Sequence, residues 1–217
     1  MPGSLFDLFA IALRETAEMI AVSGALSVLI GLPLGLLLAT TAPGGVLAAR
    51  WLNLPLAAAV NAIRSTPFII LLVALIPFTR LLVGTSIGLS AAIVPLTISA
   101  APFFARLTEI SVREVPGGLI EAARAMGATR AQILWWVLIP EALPSLVAGF
   151  TVTIVSMINA SAMAGAVGAG GLGDLAMRFG YQRFDNTVMA EVVFALIAIV
   201  TLVQTAGDAL ARRLDRR

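Results

Sequence analysis

The residues best suited to chemistry in this chain lie in a short polar stretch between two long apolar ones. Glu121 and Arg124 stand three positions apart, with Ala122 and Ala123 between them and Gly127 just beyond. A carboxylate and a guanidinium at this spacing share one face of a helix. There they can make oriented charged contacts at the rim of a protein interface, which favour specificity. The pattern therefore predicts docking chemistry.

Three residue types are missing from the whole sequence. With no His and no Cys, haem, zinc, iron–sulfur, thiol and disulfide chemistry are excluded as functions. Lys is missing too, since all 14 cationic residues are Arg. A phosphate-binding P-loop requires its Lys, so the chain cannot form a standard ATP-hydrolysing site of its own. If ATP drives this protein, another subunit must hydrolyse it.

A glycine pattern later in the chain has the spacing of a dinucleotide-binding fingerprint. Gly168, Gly170 and Gly173 fit it, and Glu191 lies 18 residues beyond. The fingerprint requires a preceding strand, whereas this segment follows a predicted spanning helix. We interpret it as an extracytoplasmic connection in which glycines allow unusual backbone angles. It could line a substrate path, together with Ser161 and Met163, or serve packing alone.

The composition is that of a membrane protein. Of the 217 residues, 59% are hydrophobic and only 12% are charged, which is about half the charged fraction of a soluble domain. A spanning helix needs about 20 mostly apolar residues. The hydropathy pattern predicts an all-α protein with five such helices, at about 19–40, 57–78, 86–104, 143–164 and 187–206.

The second predicted span is interrupted by Arg64, Pro67 and Pro77. The alternative is a half-length re-entrant segment that starts at Ser65. An Arg inside a span is costly and usually has a partner. We favour a side chain that reaches back to the cytoplasmic surface, and a functional gate is the alternative. Gly24, Gly31 and Gly35 in the first span predict close helix packing and no direct role.

The distribution of Arg predicts an N-out, C-in orientation, because cytoplasmic loops are enriched in positive charge. This orientation places ten of the 14 Arg residues inside and four outside. The inner set is Arg50, Arg64, Arg106, Arg113, Arg124, Arg130, Arg212, Arg213, Arg216 and Arg217, and the outer set is Arg14, Arg80, Arg178 and Arg183. The last four inner residues predict an anchor on anionic lipid.

The polar stretch itself predicts two short helices joined by a sharp turn. The first covers about 119–126 and ends at Gly127, which suits a left-handed cap. The second covers about 129–138, is capped by Thr129 and closes before Pro140. An apolar ridge at helical spacing comprises Leu119, Ile120, Ala123 and Met126. The alternative is an ordinary amphipathic pair lying in the membrane interface, where Trp135 and Trp136 are also expected.

This stretch resembles the signature loop of ABC-importer permeases. It reads Glu-Ala-Ala, three residues, Gly, nine residues, and then an aliphatic-x-aliphatic-Pro ending at Pro140. Further segments resemble the methionine-importer permeases within that group, and the similarity spans nearly the whole chain. The clearest are 30–35, 63–72, 76–80, 83–88, 91–97, 161–163 and 165–173.

The resemblance implies a type I ABC-importer permease fold with a cytoplasmic coupling helix. It implies a homodimer in the bacterial inner membrane, two copies of a separate ATPase that uses ATP and Mg, and an extracytoplasmic substrate-binding protein. No cofactor is expected on this chain, and no nucleic acid partner. The family's coupling role is carried onto Leu119, Ile120, Glu121, Ala122, Ala123, Arg124, Met126 and Gly127.

The function implied is import of an amino acid, most simply methionine as the L- or D-form, by alternating access. Another small amino acid or similar solute is the alternative. A secondary transporter has less support, because the clearest spans hold almost no acidic groups. Asn159 stands where the family often has an aromatic residue, so we place it with Ser161 and Met163 on the substrate path. We expect one membrane domain over 1–217, with a core of about 13–208 and a cytoplasmic loop of about 106–142.

Overall fold

The computed structural model describes residues 5–215, and this part of the chain is helical without any strand. Arg216 and Arg217, which the sequence argument counted with the inner arginines, lie outside the described residues. The helices in chain order are α1 (Leu5–Thr41), α2 (Arg50–Ser65), α3 (Phe68–Ala74), α4 (Ile76–Val83), α5 (Leu89–Arg113), α6 (Gly117–Ala125), α7 (Arg130–Gln132), α8 (Ile139–Ala166), α9 (Gly171–Leu175) and α10 (Asn186–Leu214).

Four continuous helices in the described chain are long and apolar enough to cross a membrane. They are Leu5–Thr41, Leu89–Arg113, Arg130–Ala166 and Asn186–Leu214. They match four of the five predicted spans, and the one predicted at 86–104 begins at Leu89. The first is longer than predicted, since it begins 14 residues before Met19. The added part of the helix contains charged residues, and Arg14 pairs with Glu18 at 2.6 Å one turn on.

The second predicted span is not one helix. α2 ends at Ser65 and α3 begins at Phe68, and the two are bent by 104°. The break lies at Thr66, which has extended backbone angles (φ −86°, ψ 123°) because the residue before a proline is disfavoured in a helix. The prediction of a continuous helix over 57–78 is therefore wrong. The described residues hold five spans only if α2 and α3 are counted together as one.

Glycines let α1 pack closely against α5. A Cβ atom added at Gly31 would lie 2.6 Å from the carbonyl oxygen of Ala101, and one added at Gly35 would collide with the Ala105 carbonyl oxygen and with Thr108. The Ser23 hydroxyl crosses the same interface and donates to the carbonyl oxygen of Ile93 (3.4 Å). The predicted packing role of the first-span glycines is confirmed.

The helix before α8 is continuous with it. A π-helical segment, Ile133–Leu138, joins α7 to α8, so the second short helix does not close before Pro140 as predicted. The Ile139 N–H donates to the carbonyl oxygen of Leu134, five residues back instead of four. A proline removes one helical donor and crowds the preceding turn. The wider turn ends at Leu138, so Pro140 directly follows it and is accommodated without a break in the helix.

Candidate functional site

α6 and α7 form a sharp hairpin whose turn is fixed by a complete helix cap. Gly127 has φ +80°, in the left-handed region. Its N–H donates to the carbonyl oxygen of Arg124 (2.9 Å), and the Ala128 N–H donates to that of Ala123 (3.0 Å). These two bonds make a Schellman motif, which satisfies the last carbonyl groups of α6. The left-handed cap predicted at Gly127 is confirmed.

The hairpin's second helix starts with a capping box. The Gln132 N–H donates to Thr129 Oγ1 (3.3 Å), and the Thr129 N–H donates to Gln132 Oε1 (2.7 Å). Both ends of the turn are therefore satisfied within the hairpin. The result is a compact projection that needs no partner to hold its shape.

The apolar ridge predicted on α6 is buried in its middle and exposed at its ends. Ala123 is 4% exposed and Ile120 is half-buried, and both pack into an apolar cluster that includes Val112, Ile133 and Leu138. Leu119 and Met126 are the first and last residues of the ridge, with 41% and 82% of their surface exposed. The inner pair anchors α6 on the protein, and only the outer pair is free to contact another molecule.

The exposed surface of α6 has a thin apolar strip on one side and two charges on another. Leu119, Ala122 and Met126 lie at helical spacing, and the exposed Glu121 and Arg124 lie on a different side of the helix. Within residues 5–215 neither Glu121 nor Arg124 has an ion-pair partner. A surface of this kind can bury its small side chains in a groove and direct its two charges to complementary groups.

Behind the hairpin, a buried carboxylate stiffens the end of α5. Glu109 is 5% exposed. Arg106 Nη1 donates to it at 2.7 Å, and Arg113 Nη1 lies at 3.4 Å. One carboxylate thus holds two guanidinium groups in place where α5 approaches α6. A pocket of about 360 Å³ lies between Arg113, α6 and the loop around Gly44.

The structure separates the three residues predicted on the substrate path. Asn159 is exposed and Met163 is 50% exposed, and both lie on the same face of α8. Ser161 is only 3% exposed, and its hydroxyl donates to the carbonyl oxygen of Ile158 (2.8 Å). Ser161 therefore does not share the open surface with the other two, because its position on the helix turns it into the protein.

The glycine-rich segment is held by two side chains of α1. The Gly171 N–H donates to Glu15 Oε2 (2.7 Å), and the Leu172 N–H donates to Thr16 Oγ1 (2.9 Å). Gly170 and Gly171 have φ values of +85° and +76°. A Cβ at either would lie 2.6 Å from an oxygen atom of these two α1 side chains. Of the two roles left open by the sequence, the contacts favour packing, and the amides that a phosphate would need are already bonded.

Arg64 is exposed in the described chain and lines a pocket between helices. That its side chain reaches the cytoplasmic surface stays a prediction. The pocket, of about 270 Å³, is bounded by the end of α2, the middle of α5 and the middle of α8. The Arg64 guanidinium carbon lies 5.9 Å from the centre of the Phe103 ring. Sequence reasoning identified Arg64 but missed the facing residues Ser99 and Ser156. A single Ser in an apolar span does not indicate a binding site by itself. Its role becomes visible only when the neighbouring helices are placed beside it.

Comparison with known proteins connects this architecture to one family. Residues 31–217 match the family model for the inner membrane component of binding-protein-dependent transport systems. The probable D-methionine transport system permease protein of Vibrio cholerae is 53% identical over 211 residues, which cover 97% of this chain and 94% of the relative. The D-methionine transport system permease protein of Escherichia coli K12 is 54% identical over 203 residues, 94% of each chain.

A solved structure agrees with the fold over its full length. The structure described as inward-facing conformations of the MetNI methionine ABC transporter superposes with a TM-score of 0.96 at 51% sequence identity. The match covers 100% of both chains. The broken α2–α3 segment and the α6 hairpin are therefore included in the region that the two structures share.

Proposed function

The chain belongs to the family of inner membrane components of binding-protein-dependent transport systems, and we infer that it is the membrane-spanning permease of an ATP-driven methionine importer. The observation that carries this proposal is the full-length agreement with a methionine ABC transporter, at a TM-score of 0.96 and 51% identity. Relatives that are 53% and 54% identical carry the same transport description. The chain is a multi-pass transporter subunit and not an enzyme.

The permease works as a homodimer with two copies of a separate ATPase and with an extracytoplasmic binding protein that delivers methionine. The sequence supports a separate ATPase directly, since the chain has no Lys with which to build a P-loop. ATP and Mg are accordingly bound by the partner subunit, and this chain binds no cofactor. The D-form is the isomer named for the relatives, and the L-form belongs to the same proposal.

We place the chain in the bacterial inner membrane as one domain with five spans, α2 and α3 together forming the second. The N-terminus is outside and the C-terminus inside, as the excess of Arg on one side favours. This orientation puts the α6 hairpin in the cytoplasm, between the third and fourth spans. Trp135 and Trp136, which are 63% and 72% exposed, then lie where the next span enters the membrane interface.

Coupling to ATP takes place at the hairpin. The exposed strip of Leu119, Ala122 and Met126 docks into the ATPase, with Glu121 and Arg124 fixing its orientation. Gly127 sets the turn, and Ile120 and Ala123 anchor the helix from behind. ATP binding brings the two ATPase subunits together, and the hairpins carry that movement to the spans. The path then opens alternately outward and inward, since each nucleotide state favours one of the two conformations.

Substrate uptake tests the proposal directly. Proteoliposomes that contain the permease and its ATPase, with the binding protein outside and ATP inside, should accumulate labelled methionine. Excess unlabelled methionine should abolish the signal, and excess alanine should leave it unchanged. Uptake that methionine does not compete would contradict the methionine assignment. A permease that copurifies with no ATPase subunit would contradict the importer assignment as a whole.

A further inference from the structure

We propose that the pocket around Arg64 binds the substrate amino acid inside the permease, with Arg64 holding its carboxylate. The proposal rests on the importer function above and adds a site to it. The pocket is formed by three separate segments, the end of α2, the middle of α5 and the middle of α8. Because three elements that can move against one another supply its walls, its shape can change when the transporter changes conformation.

The pocket lies at the break between α2 and α3. Arg64 stands in the last turn of α2, 14 residues after Arg50 at its start, which corresponds to about 21 Å along the axis. The chain breaks immediately afterwards, at the 104° bend between α2 and α3. Discontinuous helices near the midplane are a common way to build transport sites, because they expose polar groups at a depth where continuous helices cannot.

Arg64 has no ionic partner within residues 5–215. Its guanidinium faces the Phe103 ring, which leaves its donors available to a ligand. An unpaired cation at membrane depth is unfavourable. A carboxylate that enters the pocket supplies the missing charge and can accept two parallel hydrogen bonds, a geometry that arginine favours. The charge of the pocket thus selects an anionic group.

The opposite wall provides acceptors for an ammonium group. Within residues 5–215 the hydroxyls of Ser99 and Ser156 make no hydrogen bond, so both are free. An ammonium group only donates, and hydroxyl oxygens can accept from it. The pocket therefore offers a cation to one end of a zwitterion and neutral acceptors to the other.

The remaining lining is apolar and suits an unbranched side chain. Leu96, Met157 and Ala160 complete the walls, and Leu96 and Met157 are 1% and 2% exposed. A volume of about 270 Å³ lies just below the usual range of small-molecule pockets, about 300–1,000 Å³. A volume of this size fits a single free amino acid. Asn159 and Met163 continue along the same face of α8, so the path predicted there leads into the pocket.

Substrate protection of an introduced cysteine tests the site without requiring transport. The chain has no Cys, so Ser156→Cys provides a single reactive thiol in the pocket. The permease–ATPase complex, without nucleotide or binding protein, is treated with N-ethylmaleimide at rising methionine concentrations. Methionine should slow labelling of S156C at least fivefold. Methioninol, which has an alcohol in place of the carboxylate, should not protect.

Two variants make the labelling experiment specific. Val152→Cys is the control. Val152 lies one turn earlier on the same face of α8, is 51% exposed and does not line the pocket. Methionine should therefore leave labelling of V152C unchanged. Adding Arg64→Gln to S156C should abolish protection. Labelling of S156C that methionine does not slow, or protection that survives R64Q, would overturn the site while leaving methionine uptake by the native complex unaffected.

Transport by Arg64 variants provides the second test. R64Q should reduce methionine uptake at least tenfold. R64K keeps the charge but not the paired donors, so its uptake should lie between that of R64Q and that of the native chain. Copurification of the ATPase confirms that each variant assembles. Arg80→Gln, a change at an exposed arginine of α4, should transport normally. Native uptake by an assembled R64Q complex would overturn the proposal.

Discussion

Two glycine-marked segments of this molecule use the same backbone conformation for different purposes. Gly127 in the hairpin and Gly171 in the segment after α8 have φ values of +80° and +76°. No atom lies within 4 Å of a Cβ built at Gly127, whereas one built at Gly171 lies 2.6 Å from Thr16 Oγ1 and 2.9 Å from Met19 Cε. The first glycine is required for its backbone angles alone. The second is required also because the space beside it is filled.

The difference follows from what each segment contacts. The hairpin satisfies its own hydrogen bonds through the Schellman motif and the capping box, so its outer face remains free for another protein. The segment at Gly171 takes its hydrogen-bond acceptors from α1, 156 residues away in the chain. One is an independent projection and the other is a clamp between distant helices. Substitutions should therefore affect binding in the first region and folding in the second.

The largest effect is expected from Gly171→Ala. Left-handed strain of about 1–2 kcal/mol and overpacking of about 1–3 kcal/mol should together lower the free energy of unfolding by about 3 kcal/mol. The midpoint of thermal unfolding of the solubilised permease measures this loss. Gly84→Ala is the matched control, because Gly84 has φ +81° and no atom within 4 Å of its built Cβ. Equal losses in the two variants would show that close approach contributes nothing.

Glu15→Ala tests the clamp from its other side. Removing the carboxylate leaves the Gly171 N–H without its acceptor, which should cost about 1–3 kcal/mol of stability. Glu15→Gln retains an acceptor oxygen and should lose less. Glu18→Ala on the same helix removes only the exposed pair with Arg14, which is worth about 1 kcal/mol or less. An E15A permease as stable as E18A in chemical or thermal unfolding would argue against the clamp.

Gly127→Ala should cost only the strain of the left-handed angle, about 1 kcal/mol, because the space around it is open. Its effect on coupling should be larger than its effect on stability, since the hairpin turn sets the direction of α6. The expected result is a near-normal unfolding midpoint with reduced copurification of the ATPase. Gly127→Asn tolerates the same angle and should retain more binding. A G127A complex that retains full ATPase binding would contradict this role of the turn.

Glu121→Ala should have the smallest effect on stability, within about 0.5 kcal/mol, because the side chain is exposed and unpaired. Copurification of the ATPase and methionine uptake should nevertheless both decrease. Glu191→Ala, an exposed carboxylate on α10 far from the hairpin, serves as the control and should change neither. If E121A and E191A retain the same amount of ATPase, Glu121 is not part of the docking surface.

The sequence predicted the elements that depend on local chemistry. The cap at Gly127, the N-cap at Thr129 and four of the five apolar spans each follow from neighbouring residues, and the structure contains them. The clamp could not be predicted in the same way. Glu15 and Thr16 read as polar residues ahead of a span, and their partners lie 156 positions later.

The errors have a common origin as well. Pro67 and Pro140 are both prolines in helical patterns, but the first breaks a helix and the second lies within a continuous one. Local rules treat them alike, and they did not predict the π-helical turn before Pro140. The Arg64 pocket was hidden for the same reason, because its walls come from three segments that are distant in sequence.

The second helix of the hairpin continues without a break into a predicted membrane span, so the two move together. From Arg130 to Ala166 the chain is one uninterrupted helix of 37 residues, about 55 Å long. A tilt of about 5° around its midpoint moves each end by about 2 Å in opposite directions. One end carries the hairpin, and Ser156 and Asn159 lie in the half nearer the other end. A movement of the hairpin is therefore carried along one continuous helix to Ser156 and Asn159, which we propose to lie on the substrate path.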